Sequence, residues 1–366
     1  MSDNILRWLD RRKAPIHAGA VESHPASVPH SLSVATAETA TIADLGMVIS
    51  QWVNRLLPHD GYMLRGIDPL TGAACFLAKE HGYGAAFYRA LETEEILGLE
   101  RHTVTSMMGS SRSVAVLASR TPRRSRSISV EHEDIMRATD VGGEMRIALT
   151  LGGRAWGVLV LLRERGGRPF TMAECRHATQ LSGILAAALR QYVASRFLRP
   201  VRNAPAPGVV LIDRHDTISA VTGTGREWVS RLAPKNAAVD DEELFAHVWN
   251  IALAARHPGR QALSRVPGPD GWLVLQAQPL GETLSGSIAV TVQPASSDVL
   301  LPAAAVLYGI TAREQTVIER ALDGAAVKQI ARILNISLHT VNDHLKSVYR
   351  KTGVNSREEL VASLSL

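Results

Sequence analysis

The chain has 366 residues, 46% of them apolar and 20% charged, which is material for several cores and excludes a wholly disordered chain. At roughly 100–200 residues per domain, two to four domains are expected. The formal net charge of +5 permits nucleic acid as a partner without requiring it. No run of 18 apolar residues occurs, so no spanning helix and no membrane partner is expected, and the opening MSDNILRWLDRRKAPIH lacks the apolar core of a secretory signal. Cys75 and Cys175 are far apart and form no C-x-x-C pattern. Neither a disulfide framework nor a zinc site is expected, and a cytoplasmic location fits best.

Residues 1–35 mix Arg, Pro, His and Ser without a period and read as an unordered lead-in. From about Thr36 a helix is predicted by the spacing of Ile42, Leu45, Val48, Ile49, Trp52, Val53 and Leu56, ending at Pro58. Two strands follow, 61–68 and 72–80, around the turn Asp68-Pro69-Leu70-Thr71-Gly72, and then helical stretches up to Arg120. The segment 121–127, with Arg123, Arg124 and Arg126, reads as a basic loop. Residues 134–140 read as a helix end, and the runs 144–151 and 154–163 flank Gly152-Gly153 as a hairpin. Thr171-Met-Ala-Glu174 is a capping box that opens a helix to about Phe197. Leu181, Ile184, Leu185 and Leu189 on this helix are candidates for a dimer contact, or equally for packing on its own sheet.

The Pro-rich stretch 199–208 marks a boundary. Beyond it, strands at 209–213 and 218–222, helical pieces at 225–232 and 240–256, and strands at 272–280 and 286–294 describe a second small α+β domain. Residues 295–301 read as a short linker.

The last sixty or so residues carry explicit helix signals. Thr311-Ala-Arg-Glu314 is a capping box, Gly324 a stop, and Asn335-Ile336-Ser337 a tight turn with Ser337 as the next cap. On the helix from Leu338 to about Lys351, Val341, Leu345 and Val348 form an inward stripe, while Asn342, Asp343, Lys346, Tyr349 and Arg350 face outward. Two short helices with a three-residue turn suit a major groove, where Asn pairs with adenine, Lys with guanine and Asp with the cytosine amino group. Asn342, Asp343 and Lys346 are thus candidate base readers. Lys328, Ser337, Thr340, Arg350, Lys351 and Arg357, near helix ends or on the strip, are candidate phosphate contacts.

The segment ITAREQTVIERALDGAAVKQIARILNISLHTVNDHLKSVYRKTGVNSREELVA resembles the LuxR-type helix-turn-helix domain. The resemblance rests on the Thr-x-Arg-Glu opening, Ile330-Ala331, Ser337-x-x-Thr340-Val341, His344-Leu345 and Lys351-x-Gly353-Val354-x-Ser356-Arg357. It implies four helices, dimerisation commonly through the last, and major-groove reading by the third. The chain departs from the pattern with Asn342 where Lys or Arg is usual, Asp343 where a neutral residue is commoner, and Asn335 where Gly is usual. The first two weaken the electrostatic attraction of the reading face and put the operator sequence, not the fold, in doubt.

Residues 36–197 resemble a GAF-type sensory domain through PHDGYMLRGIDPLTG, EMRIALTLGGRAWGVLVLLRE and PFTMAECRHATQLSGILAAALR, and residues 205–294 resemble a PAS-like domain. The expected architecture is therefore α+β: a GAF-like domain over 36–197, a PAS-like domain over 205–294 and a four-helix LuxR-type domain over 303–366. No phosphoacceptor pattern, H-E-x-x-H, P-loop or G-x-S-x-G occurs, so neither an enzyme nor a cofactor is expected. Gly82-Tyr-Gly84 and Thr222-Gly-Thr-Gly225 lack the third glycine of a dinucleotide fingerprint and read as turns. A small-molecule ligand of unknown identity has room in the 36–197 fold class. Cys75 reads as a small buried residue; Cys175 lies near a helix start, a place that can lower a thiol pKa, but a structural role is expected for it too. The reading is a homodimeric, double-stranded-DNA-binding regulator; the alternative is a ligand- or protein-binding scaffold whose last helices mediate protein association only.

Overall fold

The structure, a computed structural model, describes residues 29–39, 41–81, 83–84, 106–107, 113–118, 134, 136–195, 198, 205–232, 245–257, 261–268, 271–281 and 286–364. The basic loop 121–127, Gly82, the boundary residues 199–204 and residues 240–244 lie outside them.

The first unit comprises α1 (His30–Ala37), α2 (Ile42–Asn54), β1 (Gly61–Ile67), β2 (Ala74–Glu80), β3 (Val114–Ala118), β4 (Val141–Leu151), β5 (Arg154–Glu164) and α3 (Met172–Ser195). Its antiparallel sheet has the order β2-β1-β5-β4-β3. Thr41 and Asp44 form a capping box that opens α2, which buries Leu45, Ile49 and Val53. Gly152 and Gly153 adopt φ of +60° and +73°, the left-handed pair that a two-residue hairpin of this twist requires. α3 crosses the sheet and buries Leu181, Ile184, Leu185 and Leu189 in one apolar cluster with Met145, Ile147, Leu149, Leu159 and Leu161. Those four residues are therefore core of their own chain, and the helix has no open apolar seam there for a dimer.

Two expectations fail in this unit. Residues 30–35 do not continue an unordered lead-in but begin α1, an eight-residue helix that inserts Leu32 into the core. With so few apolar side chains it has no readable period. Residues 114–118 form strand β3 rather than helix, pairing Val114 with Ile147 and Leu117 with Glu144.

The second unit comprises β6 (Gly208–Ile212), β7 (Ile218–Val221), α4 (Gly223–Leu232), α5 (Ala246–Ala255), β8 (Leu263–Gly268), β9 (Gly271–Pro279) and β10 (Ile288–Pro294). Its sheet order, β7-β6-β10-β9-β8, repeats that of the first unit when strands are counted within each. Strand β8 is absent from the sequence reading because Pro267 interrupts it. As an edge strand it has one unpaired side, where a proline ring and missing N–H are tolerated. Thr222-Gly-Thr-Gly225 is not a turn but the start of α4. A Cβ at Gly208 would lie 2.4 Å from Gly225 Cα, so the two glycines allow helix and strand to touch.

Residues 295–301, expected as a linker, instead enter helix α6 (Ser297–Tyr308), whose internal Pro302 disguises it in sequence. The tail follows as α7 (Ala312–Leu322), α8 (Val327–Leu334), α9 (Leu338–Thr352) and α10 (Arg357–Leu364).

The units meet at a polar joint under an apolar cover. Asp68 on the β1–β2 turn accepts from Arg265 Nη1 (2.7 Å) and from the Arg265 backbone N–H (3.1 Å), while Arg265 Nε donates to Val299 O of α6 at 2.6 Å. One buried guanidinium thus links the first sheet, the second sheet and α6. A cavity of about 20 Å³ lies beside it, lined in part by Cys75, Trp156, Trp272 and Leu307, room for about one water molecule. The tail is clasped beyond α3: Leu198 N–H donates to Thr352 O (3.3 Å) and Ser363 Oγ donates to Leu198 O (3.3 Å). Ile318, Val348, Val354, Leu360 and Leu364 share one apolar cluster with α3 and α6.

Candidate nucleic-acid interface

The tail forms because each helix boundary has a local chemical cause. Thr311 Oγ1 accepts from Glu314 N–H and Glu314 Oε2 accepts from Thr311 N–H at 2.7 Å, which closes the first turn of α7. α8 ends on Asn335 at φ 52°, ψ 48°, with Asn335 N–H donating to Arg332 O and Ile336 N–H to Ala331 O, a Schellman closure. Asn reaches this left-handed region at little cost, so the departure from Gly leaves the turn intact. Ser337 Oγ then accepts from Thr340 N–H at 3.0 Å and opens α9. Gly353, at φ 75°, ends it.

α9 is closed on one side by Val341, Leu345 and Val348, all buried. On the other side Asn342, Asp343, Lys346 and Arg350 are exposed. Asn342 and Lys346, four residues apart, stand exposed on one line of the helix surface, uncovered by any of the described residues. Asp343 is 3.4 Å from His339 Nε2, an exposed pair that is ionic only when the imidazole is protonated. Tyr349, expected outward, is half-buried, because α9 packs on two sides and this ring fills the space between two apolar clusters. Burial and the nearby Glu358 carboxylate raise its hydroxyl pKa.

The expected phosphate contacts divide into two groups. Lys328, Ser337 and Arg350 are exposed; Thr340 is half-buried with its hydroxyl 2.9 Å from Ser337 Oγ. Lys351 and Arg357 are engaged within the domain. Lys351 Nζ donates to Glu314 Oε2 at 2.6 Å, and Arg357 Nη2 donates to Ala325 O (2.8 Å) and Ala321 O (3.3 Å) at the end of α7. Burial opposes ionisation of Glu314, but the Lys351 ammonium and the Thr311 hydrogen bonds outweigh it and hold the carboxyl down at about 2. Spacing alone did not reveal these internal duties, since both cations lie more than 30 residues from their partners.

The thiol of each cysteine is held above its ordinary pKa. Burial, then Asp68, push the Cys75 thiol well up. Burial, then Glu174, raise Cys175 and override the favourable helix start. Among the described residues no group of three or more His, Cys, Asp or Glu side chains is arranged to hold a metal ion, and no helix is long and apolar enough to cross a membrane.

Residues 309–364 match the family described as bacterial regulatory proteins, luxR family. Over 53 residues the chain is 45% identical to the monoamine regulon transcriptional regulator of Klebsiella aerogenes; the match covers 14% of this chain and 23% of that protein, less than a quarter of its length. Escherichia coli SdiA aligns with 92% of this chain and 97% of its own at 13% identity and a TM-score of 0.34. The GAF domain/HD domain protein of Geobacter sulfurreducens aligns with 41% of this chain and 94% of its own at 17% identity and a TM-score of 0.29. Through residues 309–364, the chain carries a helix-turn-helix domain of the LuxR family of bacterial regulatory proteins.

Proposed function

We propose that the chain is a cytoplasmic, sequence-specific DNA-binding transcription regulator that works as a homodimer. In this reading α9 enters the major groove, Asn342, Asp343 and Lys346 meet base edges, and Lys328, Ser337, Thr340 and Arg350 meet phosphates. The observation that carries it is the uncovered line of Asn342 and Lys346 on a helix whose opposite side is closed by core. Lys351 and Arg357 serve the same surface at one remove, by holding α7 against α9 and α10.

The front of the chain is read as two regulatory units, GAF-like over 36–197 and PAS-like over 205–294. Their shared strand order and their sequence resemblances support this division. Both touch the tail through α6 and the segment after α3, so a small-molecule effector or partner acting on either would shift how two tails are spaced. Two tails on a pseudo-palindromic operator need half-sites about one helical turn apart.

The test is titration of labelled duplex with the full chain at several salt concentrations. Affinity is expected to fall steeply with salt, and Lys346→Ala and Asn342→Ala are each expected to weaken the selected site roughly tenfold. If both variants bind as the parent does, α9 is not the reading helix. A protein that ignores duplex but associates through the tail would support the scaffold reading instead.

A further inference from the structure

We propose that Leu338 is a further specificity-determining residue, one that reads the C5-methyl group of thymine. The inference rests on the DNA-binding reading above and extends it to the apolar residue at the head of the exposed strip.

Leu338 is the first helical residue after the Ser337 cap, and the residue is 45% exposed. The other aliphatic side chains of α9, Val341, Leu345 and Val348, are all in the core. Leu338 belongs to none of the apolar clusters. Leu338, Asn342 and Lys346 stand at i, i+4 and i+8, so an apolar tip precedes an amide and an ammonium along one side of the helix. Helix propensity does not single out leucine at this first position, where other good helix formers would serve.

A helix-turn-helix recognition helix reaches base edges with its N-terminal residues, which is where Leu338 stands. The major-groove edge offers one apolar group, the thymine methyl, and aliphatic side chains recognise it by burial rather than hydrogen bonding. Asn342, one turn further on, is suited to adenine. The two together point to a half-site with an A·T pair beneath Asn342 and a thymine next to it beneath Leu338. His339 is a weaker candidate because its ring faces Asp343.

The experiment selects duplexes with the full chain from a randomised library, then replaces each thymine of the selected site by deoxyuridine, which removes only the methyl group. For the parent chain, one thymine per half-site is expected to lose about fourfold in affinity on demethylation, the factor given by about 0.8 kcal/mol per buried methyl group. Leu338→Ala is expected to bind thymine and uracil at that position equally. Met172→Ala removes a side chain that is 73% exposed far from α9, and it should keep the full discrimination. Indifference of the parent to uracil at every position overturns the inference, as does discrimination that persists in Leu338→Ala. In either case duplex binding itself survives. Failure of the chain to select any duplex overturns the DNA-binding reading and this inference with it.

Discussion

Two helices in distant parts of the molecule begin with the same four-residue device. Thr171 and Glu174 open α3 in the first unit, and Thr311 and Glu314 open α7 in the tail, with Thr N–H to Glu Oε2 distances of 2.7 Å in both. Both glutamates are buried, and both carboxyls are held at about 2 although burial alone would raise them. The difference lies in what else they hold. Glu174 accepts from Arg163 and Arg168, and Arg163 also donates to Pro58 O and Arg168 O and stacks on Phe170 at 3.9 Å. Glu314 accepts from the Lys351 ammonium and from the Ser347 hydroxyl, both on α9. In the first unit the cap is embedded in a guanidinium network that fixes a strand and a loop; in the tail it ties one helix to one other, α7 to α9. A local motif sets where a helix starts, whereas the cation behind it sets how much of the fold depends on that start.

The sharpest way to break this contrast is to remove each carboxylate. Glu174→Ala leaves Arg163, with a side chain only 7% exposed, uncompensated, and about 3–5 kcal/mol of stability should disappear in denaturant unfolding. Glu314→Ala leaves Lys351, 23% exposed and able to reach water, and should cost less, about 1–3 kcal/mol. Equal losses would mean that the two caps are equivalent. Acid sharpens the comparison from the other side. Each carboxyl has a folded-state pKa near 2 against an ordinary value of 4.5. Each therefore contributes stability that is fully present above about pH 4.5 and is lost as pH falls towards 2, so the thermal midpoint should drop across that window. Glu174→Gln and Glu314→Gln should each flatten part of the drop. Next come Thr171→Ala and Thr311→Ala, each about 1 kcal/mol, because a hydroxyl cap is lost but the ion pairs stay. The smallest effect belongs to Arg168→Ala, under about 1 kcal/mol, since that side chain is 67% exposed.

The same contrast explains what could be read in advance. Both capping boxes, the glycine hairpin and the inward stripe of α9 are legible because their causes lie within a few residues of one another. Arg163 and Lys351 were invisible as partners because they arrive from 11 residues before and 37 after their glutamates. Pro267 and Pro302 hid a strand and a helix, because a proline reads as a break unless one knows that it sits at a sheet edge or on an exposed helix face. At the candidate interface the exposed line of Asn342 and Lys346 is legible from the period of 3.6. Tyr349 and Lys351 are not, because a helical wheel has one inside and one outside, while α9 is flanked on two sides; Arg357, on α10, has its acceptors 32 and 36 residues away.

The clasp between Leu198 and the last two helices also bears on how the tail behaves when cut away. A fragment beginning at Gly309 would keep all four of its helices but strip the cover from Val354, Leu360 and Leu364. Its sedimentation at rising concentration would report the stickiness of that uncovered seam, a property that the intact chain keeps internal.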